Sequence, residues 1–304
     1  MTPRSTVRIG TRASQLARWQ ADWVAGQLSP TGIDVEMVLI STQGDLHDKP
    51  IETIGGQGLF TKEIQRALLE QRIDVAVHSL KDLPTDPVEG LGLAVVPERE
   101  SAADVLLSAD GTNLADLPGG CRVGTGSLRR QAQLLYARPD LDVQPIRGNV
   151  ETRIAKLDEQ QYGAIVLAEA GLRRLDLQHR IDHVLPTEIV LPAVGQGALG
   201  LEIRTDDELT RSQLQPLDHP ASHAAVIAER ALLAALRGGC LAPIGAWARW
   251  KEQQLVLDAV CLDDRGTRRL SAQGSSDGQD PGQLGRELAD ELISQGALEL
   301  MGRS

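Results

Sequence analysis

Apolar and polar positions change rhythm repeatedly along this chain. Residues 7–9 form a short apolar run that reads as a strand. Ser14 then stands where a helix N-cap belongs, with a hydroxyl to accept a free backbone N–H. Behind it Leu16, Trp19, Gln20, Trp23 and Gln27 recur at helical spacing, and Leu16, Trp19 and Trp23 form the predicted apolar stripe. Residues 35–40 read as a strand, and 61–70 as a helix with Ile64, Ala67 and Leu68 facing inward. Residues 74–78 and 91–96 read as strands again. A second series begins near residue 98, with predicted strands at 105–107, 122–124, 142–146 and 164–167 and helices at 128–137, 150–157 and 169–175. Such alternation predicts βαβ units and mostly parallel sheets. The Gly/Pro-rich stretch 191–197 breaks the series, and 198–203 resume a strand placed to return to the first lobe. No internal repeat is legible.

The character changes after Pro220. Residues 222–236 predict an alanine-rich helix, with Gly238-Gly239 as its glycine C-cap. Residues 244–248, 255–262 and 268–273 predict an antiparallel sheet, and 281–294 a last helix with proline at its start. The expected fold is α/β, in three domains: 1–97 with 198–217, then 98–197, then an α+β domain at 218–304.

Composition narrows the function classes. The 304 residues suffice for two or three domains, and 41% hydrophobic with 24% charged residues exclude a disordered chain. No apolar run approaches the ~18–20 residues of a membrane span, and the first residues lack a secretory or transit pattern. The expectation is a cytoplasmic protein with no membrane partner. Lys+Arg total 31 against 42 Asp+Glu, a formal charge of −11, and aromatics are 2%. Both argue against nucleic acid as a partner, because phosphate binding needs surplus positive charge and stacking needs rings. Cys121, Cys240 and Cys261 are odd in number and form no CxxC pair, so neither a disulfide framework nor a metal site is expected.

Against this acidic background the arginines are placed with a pattern. Arg12 precedes the first helix. Arg129-Arg130 open a helix after Gly124-Thr125-Gly126-Ser127, Arg147-Gly148-Asn149 precede the helix carrying Arg153, and Arg174 closes a short one. All but Arg174 lie near strand-to-helix junctions, where open α/β sheets bind ligands and helix N-termini offer N–H groups. Arginine adds a planar fork for carboxylate or phosphate, so several forks point to a ligand with several anionic groups. Ser127 with its glycines fits a backbone anion nest and fits a helix N-cap nearly as well; no Gly-Lys-Ser/Thr follows, so it is not a P-loop. In His78-Ser79-Leu80-Lys81-Asp82-Leu83-Pro84 a strand ends in a polar cluster. There Lys81 suits an anion and Asp82 suits acid–base work or cation stabilisation, while a solvated turn explains the same spacing. His78 reads as a strand residue. Cys240 follows a glycine pair on a loop, where a thiol is available for covalent chemistry; Cys261 reads as core. Glu229 and Arg230 read as the solvated face of their helix.

These segments together resemble the porphobilinogen deaminase (hydroxymethylbilane synthase) family. The matching stretches are RIGTRASQLARWQ, STQGD, GGQGLFTKE, DVAVHSLKDLP, VGTGSLRRQAQL, IRGNVETR, LAEAGLRRL, LPAVGQGALG, AERALL and GGCLAPIGA, in the family's order over nearly the whole chain. The resemblance implies two lobes like type II periplasmic binding proteins and a third, small α+β domain. It implies a dipyrromethane cofactor joined by thioether to Cys240, and a monomer that condenses four porphobilinogen molecules into hydroxymethylbilane with loss of four ammonia. Asp82 matches the catalytic carboxylate. Lys81, Asp82, Ser127, Arg129, Arg130 and Asn149 match groups around the cofactor. Arg12, Ser14, Arg147, Arg153, Arg174, Phe60 and Gln196 match substrate positions, with Phe60 in a glycine-rich loop read as a lid. Each porphobilinogen brings an acetate and a propionate, which an arginine-lined cleft suits. Gln57 and Thr53 stand where lysine is common, Gly126 where serine is frequent, and Arg237 where glutamate is common. These departures bear on a lysine in the lid, not on the reaction. The competing reading is a non-catalytic two-lobed solute-binding protein, which has no need of a third domain with a loop cysteine.

Overall fold

A computed structural model describes residues 6–40, 61–239 and 242–302. Its contacts divide the chain into two units, residues 1–99 with 198–223, and residues 100–197 with 224–304.

The first unit is built on a five-stranded sheet. β1 (Thr6–Thr11) leads into α1 (Gln15–Leu28), and β2 (Asp34–Leu39) follows. Next come α2 (Lys62–Leu69), β3 (Val75–Ser79) and β4 (Leu91–Val95). α1 buries Gln20, Ala21, Val24 and Leu28 rather than the predicted stripe, and Leu16, Trp19 and Trp23 are only half-buried on its flank. Gln20 is inside because its carboxamide binds Ser79 Oγ at 2.7 Å, an attraction that hydrophobic periodicity does not register.

The second unit carries two sheets. β5 (Asp104–Ser108), β6 (Arg122–Gly124), α3 (Leu128–Ala137), β7 (Asp142–Gln144) and α4 (Val150–Asp158) come first. β8 (Ala164–Ala168), α5 (Glu169–Arg174) and the two-residue β9 (His183–Val184) complete that lobe. The chain then returns as β10 (Leu199–Arg204) to the first sheet, followed by α6 (Glu208–Leu214). α7 (Pro220–Ala235) passes back to the second unit. There β11 (Ile244–Lys251), β12 (Gln254–Leu262) and β13 (Arg269–Ser276) form an antiparallel sheet, covered by α8 (Pro281–Ser294) and the short α9 (Ala297–Leu300). β9 and α6 were not legible in sequence, being short and weakly patterned.

The strand orders β2-β1-β3-β10-β4 and β7-β6-β8-β5-β9 follow one plan. In each, three consecutive neighbours are parallel and one interior strand runs antiparallel to both its neighbours. The reversed strand is in each case the first after the chain enters the unit. The sequence carries no repeat that announces this shared plan. α7 ends differently from expectation too. The left-handed residue is Arg237 at φ 50°, with Gly238 N–H bonded to Leu233 O at 2.8 Å and Arg237 N–H to Ala234 O at 2.9 Å, a Schellman turn. A Cβ at Gly238 would lie 2.4 Å from Leu233 Cδ1 and 2.8 Å from Ile244 Cδ1, so those two side-chain ends would have to move to admit one. Among the described residues no helix is long and apolar enough to cross a membrane.

Candidate active site

In the first unit β1 and β3 are parallel neighbours, Ile9 opposite Val75, so both strands run off the same sheet edge. There the chain turns through Arg12 into α1, whose N-cap Ser14 accepts the Ala17 N–H at 3.4 Å. β3 ends in a single tight turn, Leu80–Asp82. Leu80 and Leu83 are buried and hold the turn from both sides. Leu80 N–H bonds to Ala198 O at 3.0 Å, and Leu83 N–H closes the turn on Leu80 O at 3.2 Å. Lys81 is left half-buried and Asp82 exposed on a fixed backbone. His78 lies within β3, as expected. Its Nε2 is 2.9 Å from Glu202 Oε2, while Gln65 donates to Glu202 Oε1 at 3.0 Å.

In the second unit β7, β6 and β8 are parallel, so the junctions after Gly124, Gln144 and Ala168 share one edge. Ser127 caps α3 by accepting the Arg130 N–H at 3.4 Å. Asn149 caps α4 by accepting the Thr152 N–H at 2.8 Å. The two turns touch: a Cβ on Gly126 would lie 3.0 Å from Ile146 O and 3.8 Å from Arg153 Nη2. Arg153 Nε donates to Gly148 O at 2.9 Å, and Arg147 is exposed beside it. Ser127, Arg147, Asn149 and Arg153 therefore occupy one neighbourhood.

Arg129 and Arg130 point inward, 4% and 5% exposed. Arg130 donates Nε and Nη2 to Asp104 Oδ1 at 2.9 and 2.6 Å, and Nη1 to Val166 O at 3.0 Å. Arg129 Nη1 stands 2.7 Å from Asp104 Oδ2 and donates to Leu191 O at 2.7 Å. Gln196, also fully buried, gives its Nε2 to Ala102 O at 2.7 Å and Asp104 Oδ1 at 2.9 Å. Its carboxamide thus serves the framework around Asp104. Burial drives the Asp104 carboxyl towards its neutral form. The charges of Arg129 and Arg130, with their hydrogen bonds, outweigh this and hold it well below the usual carboxylate range. Arg174 closes α5, is 8% exposed and donates to Gly197 O at 2.6 Å. Its burial lowers its pKa to about 10, with the charge of Glu100 opposing, so it stays charged at neutral pH.

Cys240, Phe60, Gln57 and Thr53 lie outside the described residues. Cys261 is fully buried in the core of the third sheet. Two residues were misread or missed. Glu229 is fully buried, not solvated: it accepts Gly195 N–H at 2.7 Å and Ala248 N–H at 2.8 Å. Asp104 was not singled out, although a carboxylate opening the apolar run Val105-Leu106-Leu107 signals a buried charge needing partners.

Comparison with known proteins adds a family. The model described as porphobilinogen deaminase, dipyromethane cofactor binding domain, matches residues 7–212, and that of the porphobilinogen deaminase C-terminal domain matches 223–294. The porphobilinogen deaminase of Geobacter metallireducens is 48% identical, covering 99% of this chain and 95% of the relative. That of Desulforudis audaxviator is 49% identical, covering 99% and 98%. Among solved structures, the methionine-binding protein MetQ aligns with TM-score 0.45 and 14% identity, over 69% of this chain and 89% of its own. An arginine-specific periplasmic binding protein of Salmonella typhimurium aligns with TM-score 0.42 and 15% identity, over 70% and 92%.

Proposed function

The chain belongs to the porphobilinogen deaminase family, and we propose on that premise that it condenses four porphobilinogen molecules head-to-tail onto a covalent dipyrromethane primer with loss of four ammonia, after which water cleaves the product from the primer as the linear tetrapyrrole hydroxymethylbilane. The observation that carries the reading is the match of the cofactor-binding family model across residues 7–212, through the turns that hold Asp82 and the arginines. A solute binder on a similar scaffold has no observation of this kind behind it.

The residues present suit a carboxylate-bearing dipyrromethane. Two guanidiniums face one carboxylate at Asp104, which leaves one positive charge buried, and Arg129 Nε is buried with no hydrogen-bond partner among the described residues. In the proposal Cys240 anchors the group. Arg129 and Arg130 would answer its carboxylates, and Lys81, Ser127 and Asn149 are its further proposed contacts. When bound, it supplies the pyrrole carbon on which the first substrate ring condenses.

The protein's own groups do the rest. Arg12, Ser14, Arg147 and Arg153 sit at the sheet edges from which they can grip substrate acetate and propionate, each fork fixing a planar carboxylate at two points. Arg174 is charged and buried, so an anion nearby offsets part of its desolvation cost. Asp82 is held on the clamped turn, where its carboxylate stabilises the cation left as a substrate loses ammonia and accepts pyrrole N–H groups. Phe60 belongs to the proposed lid, and Gln196 contributes through Asp104. The proposal includes three domains with the boundaries expected from sequence, and a monomeric cytoplasmic transferase acting on a small molecule. The acidic balance supports the absence of a nucleic-acid partner.

Intact mass of the purified chain tests the reading. The expected result is a covalent addition of two pyrrole units, mapped to the peptide containing Cys240 and absent from Cys240→Ser. An unmodified wild-type chain that consumes no porphobilinogen would overturn it.

A further inference from the structure

We infer that Asp104 is the positioning residue of the arginine pair: it fixes both guanidiniums and cancels one of their two charges, so that the pair faces its ligand with a single net positive charge. This rests on the proposed reading of Arg129 and Arg130 as cofactor ligands.

The geometry is asymmetric in a useful way. Asp104 opens β5 opposite Ala168, at the edge where β8 hands over to α5. It is completely buried, and among the described residues the charges that lower its pKa are those of the two arginines. Two guanidiniums on one carboxylate leave a net charge of +1 in a place where water does not screen it. The chain contains its own control. In the first unit Asp74 is likewise fully buried between two arginines, Arg8 at 2.9 Å and Arg204 at 3.2 Å. There Asp207 adds a second carboxylate 2.5 Å from Arg204, so the charges of those four groups cancel. A purely structural staple is expected to be neutral, because an uncompensated buried charge is costly. The Asp104 cluster keeps its surplus, and its Arg129 Nε has no partner among the described residues. Without Asp104 two adjacent buried guanidiniums would repel, and neither would hold a fixed fork. Gln196 adds no charge but steers Asp104 Oδ1 through its 2.9 Å bond. One carboxylate of a dipyrromethane balances the cluster to zero.

The test compares the wild type with Asp104→Asn, Asp104→Glu and Gln196→Leu by circular dichroism, intact mass, and steady-state kinetics with porphobilinogen. Asp104→Asn is expected to fold but to carry dipyrromethane in a fraction at least ~10-fold lower, the scale of one lost charge-assisted contact. Its loaded molecules should show lower kcat at near-normal KM, because the primer and not the incoming ring is misplaced. Asp104→Glu should restore most of the loading, which a shape-only role would not predict. Full loading with wild-type kcat in Asp104→Asn overturns the inference. If Asp104→Asn does not fold, Gln196→Leu decides: reduced loading in a folded chain supports the inference, and full loading with normal kcat overturns it. A wild-type chain without dipyrromethane is a different failure, that of the family reading beneath it.

Discussion

At the scale of single residues, the same residue type does opposite things according to where the backbone puts it. Asp82 is exposed on a turn pinned by two buried leucines, so its backbone is held while its carboxylate stays in solvent. Asp104 is desolvated and occupied by arginines. For Asp82→Asn the expected outcome is a folded chain that still carries the cofactor but condenses porphobilinogen at least ~10²-fold more slowly, since a carboxamide keeps the shape and cannot offset a developing cation. Single-turnover mass measurements check it, and near-normal extension would refute the role. The arginine pair behaves differently from surface charge. Replacing Arg129 or Arg130 by leucine leaves a neutral pair at Asp104 but strips one of its buried oxygens of a donor, which costs about 1–3 kcal/mol. An apo-protein phenotype in those variants is therefore interpretable only beside a melting curve.

At the scale of elements, the turns between strands and helices carry both the caps and the candidate ligands. Ser14, Ser127 and Asn149 each satisfy a free N–H of the helix they open, which fixes the angle at which the neighbouring arginines leave the backbone. The stretch before β10 is just as constrained. Gly197 has φ 85°, and a Cβ there would lie 2.3 Å from Glu100 O and 2.5 Å from Ser101 O. Its own carbonyl accepts from Glu100 N–H and from Arg174. Gly197→Ala meets a left-handed backbone penalty of about 1–2 kcal/mol and a backbone clash that no rotamer relieves. The expected loss is at least ~2 kcal/mol by urea unfolding, together with reduced activity because Arg174 loses its carbonyl anchor. A change below ~0.5 kcal/mol would show that the crossing is looser than its packing implies.

At the scale of the whole molecule, each unit is held by buried polar groups as much as by its apolar core. Glu229 of α7 takes one N–H from the 191–197 stretch and another from β11, so a single carboxylate ties that stretch, the helix and the third sheet together. Leu191 packs in a cluster with Ala132, Val260 and Leu262, joining the second lobe's α3 to the third sheet. Glu229→Gln converts one acceptor oxygen into an NH₂ group facing an N–H. Leaving a buried donor unsatisfied costs about 1–3 kcal/mol, more where a charged acceptor is lost. Calorimetry should show a lower Tm with the dipyrromethane still attached. An unchanged Tm would mean that water replaces the carboxylate.

Much of this protein was determined by the sequence alone. Period-2 and period-3.6 patterning located nearly every long element, because burial of a strand face or a helix stripe is written directly into residue order. The family motifs, being contiguous, single out Asp82, Cys240 and the arginines in the sequence. What only the tertiary structure decided is where polar groups go when they are buried. Gln20, Glu229 and Gln196 carry polar side chains that no hydrophobic pattern places, yet each is inside, bonded to a partner far along the chain. Arg129 and Arg130 read as two free forks, and the fold turns them onto Asp104, some 26 residues earlier. Arg237, not a glycine, takes the left-handed turn after α7, where Leu233 O and Ala234 O receive the N–H groups of Gly238 and Arg237. Hydrophobic burial follows local pattern, whereas the pairing of buried charges depends on which strands the fold sets side by side.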